Sequence, residues 1–328
     1  MASFSQFGND LHTGARSINI IGRRRLWFII SAVAILLSLA IPFLRGGYTF
    51  GIEFTGGSEF RLTGIETSDQ TPAVEAVSSV APEIAPRVST VGTSGLRVQT
   101  DQLSDDESSE VRQALAEAYD VPLVDVTESF IGPTWGADIT RQALTGLFIF
   151  LVLVFLVMAV YFRTWKMSIA AMVALLHDLV LTAGIYGIVG FEVTPAAVIG
   201  FLTILGYSLY DTVVVFDKIR ENTRGGEATS ARTFAESVNL AVNQTLVRSI
   251  NTSVVAALPV AAILFIGAFV LGAGTLRDIA LALFIGILVG TYSTIFVAAP
   301  LYSLLRERED AVAKEDKRAT ELREKSVV

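Results

Sequence analysis

Six long apolar stretches dominate the 328-residue chain, at 26–44, 144–162, 167–189, 195–216, 246–271 and 279–305. A helix that crosses a bilayer core of ~30 Å at ~1.5 Å per residue needs roughly 20 mostly apolar residues. Six stretches of that length predict a polytopic α-helical membrane protein with six transmembrane helices. The first stretch reads as a span and not as a cleaved signal peptide, because it is long and no small-residue cleavage pattern follows it.

Between the first and second stretches the pattern changes to short alternating and amphipathic pieces. Residues 58–63 read as a strand and 71–80 as a helix with Pro72 in its first turn. Two strands, 87–91 and 96–100, are joined through a turn at 92–95. A second helix starts near Ser104, which can cap it, with Asp105, Asp106 and Glu107 at the positive end of its dipole. Residues 123–130 supply a last strand. This order predicts one small α+β ferredoxin-like extracytoplasmic domain. The chain thus divides into a cytoplasmic segment 1–25, a first span 26–45, the outer domain 46–140, five further spans within 141–305 and a charged tail 306–328.

Charge supplies the orientation. Residues 47–140 carry 16 Asp and Glu against 4 Arg, so this stretch is −12 within a chain whose net charge is −7. Lys and Arg collect instead at 23–25, at Arg163 and Lys166, at Lys218, Arg220, Arg224 and Arg232, and in the tail. Basic loops stay in the cytoplasm, which places both termini inside and the acidic domain outside. The mixed-charge tail reads as a solvated extension. An acidic outer domain disfavours nucleic acid as a partner. No phosphate-cradling G-x-x-x-x-G-K-[ST] loop is present, so no nucleotide is expected. With no cysteine and two histidines, thiolate metal centres are excluded and a histidine-rich site is disfavoured. No nucleophile and base pair emerges at workable spacing, and the chain is not expected to be an enzyme.

The candidate chemistry lies inside the spans. Asp211 interrupts the fourth apolar stretch, with Tyr207 one turn earlier and Thr203 a turn before that. Carboxylates at such depth usually face a polar cavity or a partner and carry ions or protons. The bland alternative is a helix–helix hydrogen bond. Asp217 and Lys218 fall at the membrane boundary and read as a solvated pair. The fifth stretch opens on Gln244, Arg248, Asn251 and Thr252, a polar face with a cation in its middle. Arg248 and Asp211 enter from the same side at similar depth and are expected to face each other. Desolvation would then favour the neutral carboxyl and the cation its ionised form; a static ion pair is the structural alternative. His177 and Asp178 form a further intramembrane polar pair, read either as packing or as a relay. Gly286 and Gly290 have the GxxxG spacing of close helix packing.

Several of these strings together resemble the SecD/SecF family of protein-export membrane proteins, within the resistance, nodulation and division superfamily. FGIEFTGG at 50–57 is similar to the family's GIDFTGG after its first helix, with Glu53 in place of Asp. YSLYDTVVVFDKIREN at 207–222 is similar to YSxNDTVVVxDRIRE, with Tyr210 and Lys218 as departures. QTLVRSINTS at 244–253, GTYSTIFVAAPL at 290–301 and the HD pair at 177–178 also look like family motifs. The resemblance implies a SecF-like unit that pairs with SecD and assists the SecYEG channel. It would draw unfolded preprotein outward on the proton gradient, with no cofactor. In that picture Asp211 carries the proton, Arg248 is its charge partner, and Thr252 and Tyr207 line the pathway. A small-molecule efflux transporter of the same superfamily and a structural scaffold are the alternatives.

The charge sorting makes a direct forecast. With no native cysteine, single cysteines placed at Ser94 and at Ser326 should label with an impermeant thiol reagent from outside and from inside respectively. Labelling of both from one side overturns the six-span orientation.

Overall fold

The computed structural model describes residues 4–92, 94–223, 232–267 and 274–327. Thr93, Arg224 and the 268–271 end of the fifth apolar stretch lie outside the described residues. Helix α1 (Phe4–Thr13) and helix α2 (Arg24–Leu44) lead through a short α3 (Ile52–Thr55) into β1 (Gly57–Thr63) and α4 (Thr71–Val80). Strands β2 (Arg87–Thr90) and β3 (Gly95–Thr100), helix α5 (Asp105–Ala118) and β4 (Val126–Ile131) follow. Then come α6 (Pro133–Phe162), α7 (Trp165–Val189), α8 (Pro195–Thr223), α9 (Phe234–Ala262) and α10 (Gly274–Ser293). Helices α11 (Ala299–Glu307) and α12 (Asp310–Val327) end the described chain.

Among the described residues six helical segments are long and apolar enough to cross a membrane: α2, α6, α7, α8, α9 with its extension to Gly267, and α10 continuing into α11. The last two carry one π turn each, at Ile263–Gly267 and Thr294–Ala298. Each lies beside a proline, Pro259 within α9 and Pro300 at the start of α11. Proline lacks the N–H that the helix ladder needs, and a local π adjustment lets the chain stay helical in lipid.

The outer domain forms a four-stranded antiparallel sheet in the order β2-β3-β1-β4. Strand β3 is inserted between β1 and β2, which are joined through α4; that is the split βαβ arrangement expected of a ferredoxin-like unit. One face packs Phe60, Leu62, Leu96, Val98 and Val126 against Ala73 and Val77 of α4 and Val111 and Leu115 of α5. Ser104 opens α5 with a full capping box: its hydroxyl accepts from the Glu107 N–H while Glu107 accepts from the Ser104 N–H and Oγ. These bonds hold the Glu107 carboxyl below its usual range.

Elsewhere the structure differs from the sequence reading. The glycine-rich stretch 50–57 contains the short helix α3, for which no helix was expected, and it ends on Gly56 and Gly57 at φ 78° and 134°. A Cβ on Gly57 would stand 2.3 Å from the Thr100 carbonyl oxygen, so only glycine fits there. Helix α9 begins at Phe234, well before its apolar run, because Thr233 and Glu236 form a second capping box. The tail is not a free solvated extension. Its helix α12 docks on the start of α9, with Val312 and Ala319 buried and Asp316 accepting from the Phe234 N–H at 2.6 Å. Asp217 and Lys218 do not pair: Asp217 accepts from Tyr161 Oη and Lys218 meets Glu221.

Because the outer domain has its own core, residues 58–130 expressed alone should give mixed helix and strand circular dichroism and a cooperative melt. Phe60→Ala in that fragment should cost about 3–5 kcal/mol by denaturant titration. A disordered product would mean that the membrane half completes the core.

Candidate functional site

Glycines bring four membrane helices together in two close pairs, near enough for short polar side chains to meet. A Cβ on Gly286 of α10 would fall 2.2 Å from Ile204 Cγ1 of α8, and one on Gly200 of α8 would fall 2.6 Å from the Ala282 Cβ of α10. Gly184 and Gly187 of α7 stand equally close to Ser38 and Pro42 of α2. The expected close packing at Gly286 and Gly290 is therefore made with α8, where Gly290 faces Ser208.

Two carboxylates lie inside this bundle, with different surroundings. Asp178 of α7 is fully buried. Its Oδ1 meets His177 Nδ1 at 3.1 Å, and its Oδ2 accepts from Ser208 Oγ of α8 at 2.5 Å. The His177 ring stacks on Tyr292 of α10, whose hydroxyl lies 3.1 Å from Ser31 Oγ of α2. Asp178 thus has a partner on each oxygen and ties α7 to α8, while its neighbour His177 packs on α10. His177 Nε2 is buried with no hydrogen-bond partner among the described residues.

Asp211 of α8 is 6% exposed. Its Oδ1 accepts from Ser249 Oγ of α9 at 2.8 Å, whereas Oδ2 is buried with no hydrogen-bond partner among the described residues. A buried, half-satisfied carboxylate is the arrangement that costs most when ionised. Hydroxyls continue from it. Ser253, one turn beyond Ser249, donates to the Ser249 carbonyl and lies 2.5 Å from Thr291 Oγ1 of α10. Thr212, next to Asp211, meets Thr294 Oγ1 at 2.9 Å, at the π turn. The Tyr207 hydroxyl is buried toward Ser253 without completing a hydrogen bond.

The structure does not bring all of the sequence candidates together. Arg248 is exposed on α9 and, among the described residues, forms no ion pair or hydrogen bond with Asp211, although its charge lies near enough to act on that carboxyl. Residues 248 and 249 point about 100° apart on a helix, so it is Ser249 that faces α8. Thr252 donates to the Arg248 carbonyl, Asn251 is exposed, and Thr203 is exposed and bonded to the Ile199 carbonyl. Gln244 belongs to the other end of α9: it accepts from Asn222 and donates to the His12 carbonyl of α1. Sequence reasoning passed over Ser208, Ser249, Ser253, Thr212, Thr291 and Thr294. Their signal was present as small hydroxyls at helical spacing in apolar runs, Ser249 and Ser253 above all.

Residues 111–308 match the family described as protein export membrane protein SecD/SecF, C-terminal. The chain is 44% identical to the protein translocase subunit SecF of Mycobacterium tuberculosis (strain CDC 1551 / Oshkosh), over 97% of this chain and 73% of that one. It is also 44% identical to the SecF of Streptomyces coelicolor, over 94% of this chain and 82% of the relative. The crystal structure of SecDF, a translocon-associated membrane protein from Thermus thermophilus, superposes with a TM-score of 0.76 at 32% identity. That match covers 89% of this chain and 39% of the longer SecDF chain.

An exposed, unpaired Arg248 has a measurable consequence. Arg248→Gln should leave thermal stability in detergent within about 0.5 kcal/mol of the parent, as for other surface changes. A loss of about 3–5 kcal/mol would instead mark a broken buried pair with Asp211.

Proposed function

Because the chain belongs to the SecF branch of the SecD/SecF family of protein-export membrane proteins, we propose that it is the SecF subunit of a proton-driven SecD–SecF unit in the plasma membrane. In this reading it sits beside the SecYEG channel with both termini cytoplasmic, and its acidic domain meets unfolded preprotein on the outer side. The observation that carries the proton assignment is the unpartnered oxygen of Asp211. With one hydrogen bond from Ser249, the ionised form is tolerated only while polar groups or water reach Oδ2. Protonation removes that demand and lets α8 settle against dry neighbours. The two protonation states therefore favour different packings of α8 against α9 and α10, which is how a proton gradient biases a conformational cycle.

The hydroxyl row Ser249, Ser253 and Thr291 extends from the carboxylate and supplies exchangeable protons without a second buried charge. Arg248, facing outward on α9, is the group that a SecD helix bundle would cover. A repeat-built pair closes around such faces, and a cation placed there would answer carboxylates of the partner. Thr252, bonded one turn back to the Arg248 carbonyl, steadies that stretch of α9. Asp178 has both oxygens engaged and acts in this scheme as the joint that keeps α7, α8 and α10 in register.

The proton assignment is tested by Asp211→Asn, which keeps the size of the side chain and still accepts from Ser249 but cannot ionise. The variant should insert and accumulate normally, because no buried cation is stranded. Preprotein export and coupled proton movement, measured in membrane vesicles, should fall to the level of membranes lacking the subunit. Wild-type export and proton flux in Asp211→Asn would remove Asp211 from the mechanism.

A further inference from the structure

The open face of the sheet carries Glu59 and Arg61 of β1 and Arg97 and Gln99 of β3, alternating with the core residues of the same strands. That face does not look into solvent throughout. It rests on the hairpin between α7 and α8, where Arg97 Nη1 donates to Glu192 Oε2 at 3.0 Å and Gln99 Nε2 donates to Glu192 Oε1 at 2.8 Å. Gln99 also donates to Glu59, and Arg97 Nε lies 3.7 Å from Glu59 Oε2. The side chains of Arg97, Glu192 and Glu59 are only 9%, 13% and 17% exposed. Backbone bonds join the same two parts: the Gly51 N–H donates to the Val193 carbonyl at 3.0 Å and the Val193 N–H to the Thr49 carbonyl at 2.8 Å.

Glu53 of α3 sits at the edge of this joint. Its Oε2 is buried with no hydrogen-bond partner among the described residues. The position that a Cβ would take on Gly51 lies 2.3 Å from that oxygen and 3.4 Å from Glu192 Oε1, so the two carboxyl groups converge. Three glutamates therefore share one buried cation, Arg97. Arg61 reaches only Glu59, at 3.9 Å, with its side chain 42% exposed. Arg87 of β2 donates to the Phe50 carbonyl, and Asp138 and Arg141 of α6, which packs on α3, are exposed and have no ion pair among the described residues.

We propose that this joint is a proton-operated latch: protonation of Glu53 clamps the sheet onto the α7–α8 hairpin, and its ionisation loosens the clamp. Burial pushes the Glu53 carboxyl up from its usual range against a hydrogen bond from its own backbone; Glu192 and Glu59 raise it further and Arg97 draws it down. A carboxyl raised in the docked state binds its proton more tightly there than when undocked. Docking is then strongest at low pH and weakens as pH rises through the raised value. The latch deepens the export reading by adding a second proton-sensitive point, on the outer side. It is measured without substrate or gradient, so it stands or falls separately.

The cysteine-free chain allows spin labels at Ala118→Cys on α5 and Val189→Cys at the end of α7, both exposed and neither bonded within the joint. In the full chain in lipid nanodiscs, pulsed electron resonance should give one narrow distance at about pH 5.5. At about pH 8 the ratio of docked to undocked molecules should fall about tenfold for each unit by which docking raises the Glu53 pKa. Glu53→Gln, a mimic of the protonated form, should stay narrow at both. Identical wild-type distributions at the two pH values, or a Glu53→Gln variant that keeps the wild-type response, would overturn the latch.

Discussion

Backbone contact between α8 and α10 at Gly200, Gly286 and Gly290 governs what the rest of the bundle can do. In lipid there is no hydrophobic drive to pull helices together, and no water to satisfy a polar group that faces the wrong way. Close approach solves both problems together. It multiplies dispersion contacts, and it brings the short side chains of Ser208, Thr212, Thr291 and Thr294 within bonding distance of neighbours on other helices. A larger residue at Gly286 would meet Ile204 and separate the two helices, and the polar layer would lose its partners in one step.

Within that layer the two carboxylates are distinguished by how completely they are satisfied. Asp178 has His177 on one oxygen and Ser208 on the other, so both of its oxygens are bonded and the second bond ties α7 to α8. Asp211 has Ser249 on one oxygen and, among the described residues, no hydrogen-bond partner on the other. A fully bonded buried group stabilises one packing, whereas a half-bonded one makes the packing depend on its proton. Both residues are buried aspartates in apolar helices, and only their neighbours decide how fully each is satisfied.

Much of this was legible in the sequence, for reasons that differ by feature. Span number followed from apolar length, and the strand order of the outer domain followed from alternation and from caps such as Ser104 with Glu107. Asp211 was found because a carboxylate within an apolar run is costly wherever it points. Its partner was not, because Arg248 and Ser249 are adjacent and a small error in helix rotation exchanges them. Long-range docking was equally hidden. Asn239 and Asn243 of α9 clamp the backbone of Ile18, Ile20 and Ile21, and α12 covers the start of the same helix. Amide groups and charged helices of this kind read as solvated until the surface they meet is known.

The connections between the two halves determine how a change at Asp211 would be felt outside. Helix α6 starts directly after β4, and α2 reaches β1 through α3, so two membrane helices end at adjacent strands of one sheet. The α7–α8 hairpin is held to the same sheet by Glu192 and to the α3 turn by the backbone of Val193. Helix α8 carries Asp211 near its middle and begins at this hairpin. A tilt of α8, under the proposed protonation of Asp211, would reach the sheet through a continuous helix of about 1.5 Å per residue and a bonded turn, not through a flexible linker. Arg97 and Gln99, by holding Glu192, join the sheet directly to the hairpin from which α8 starts.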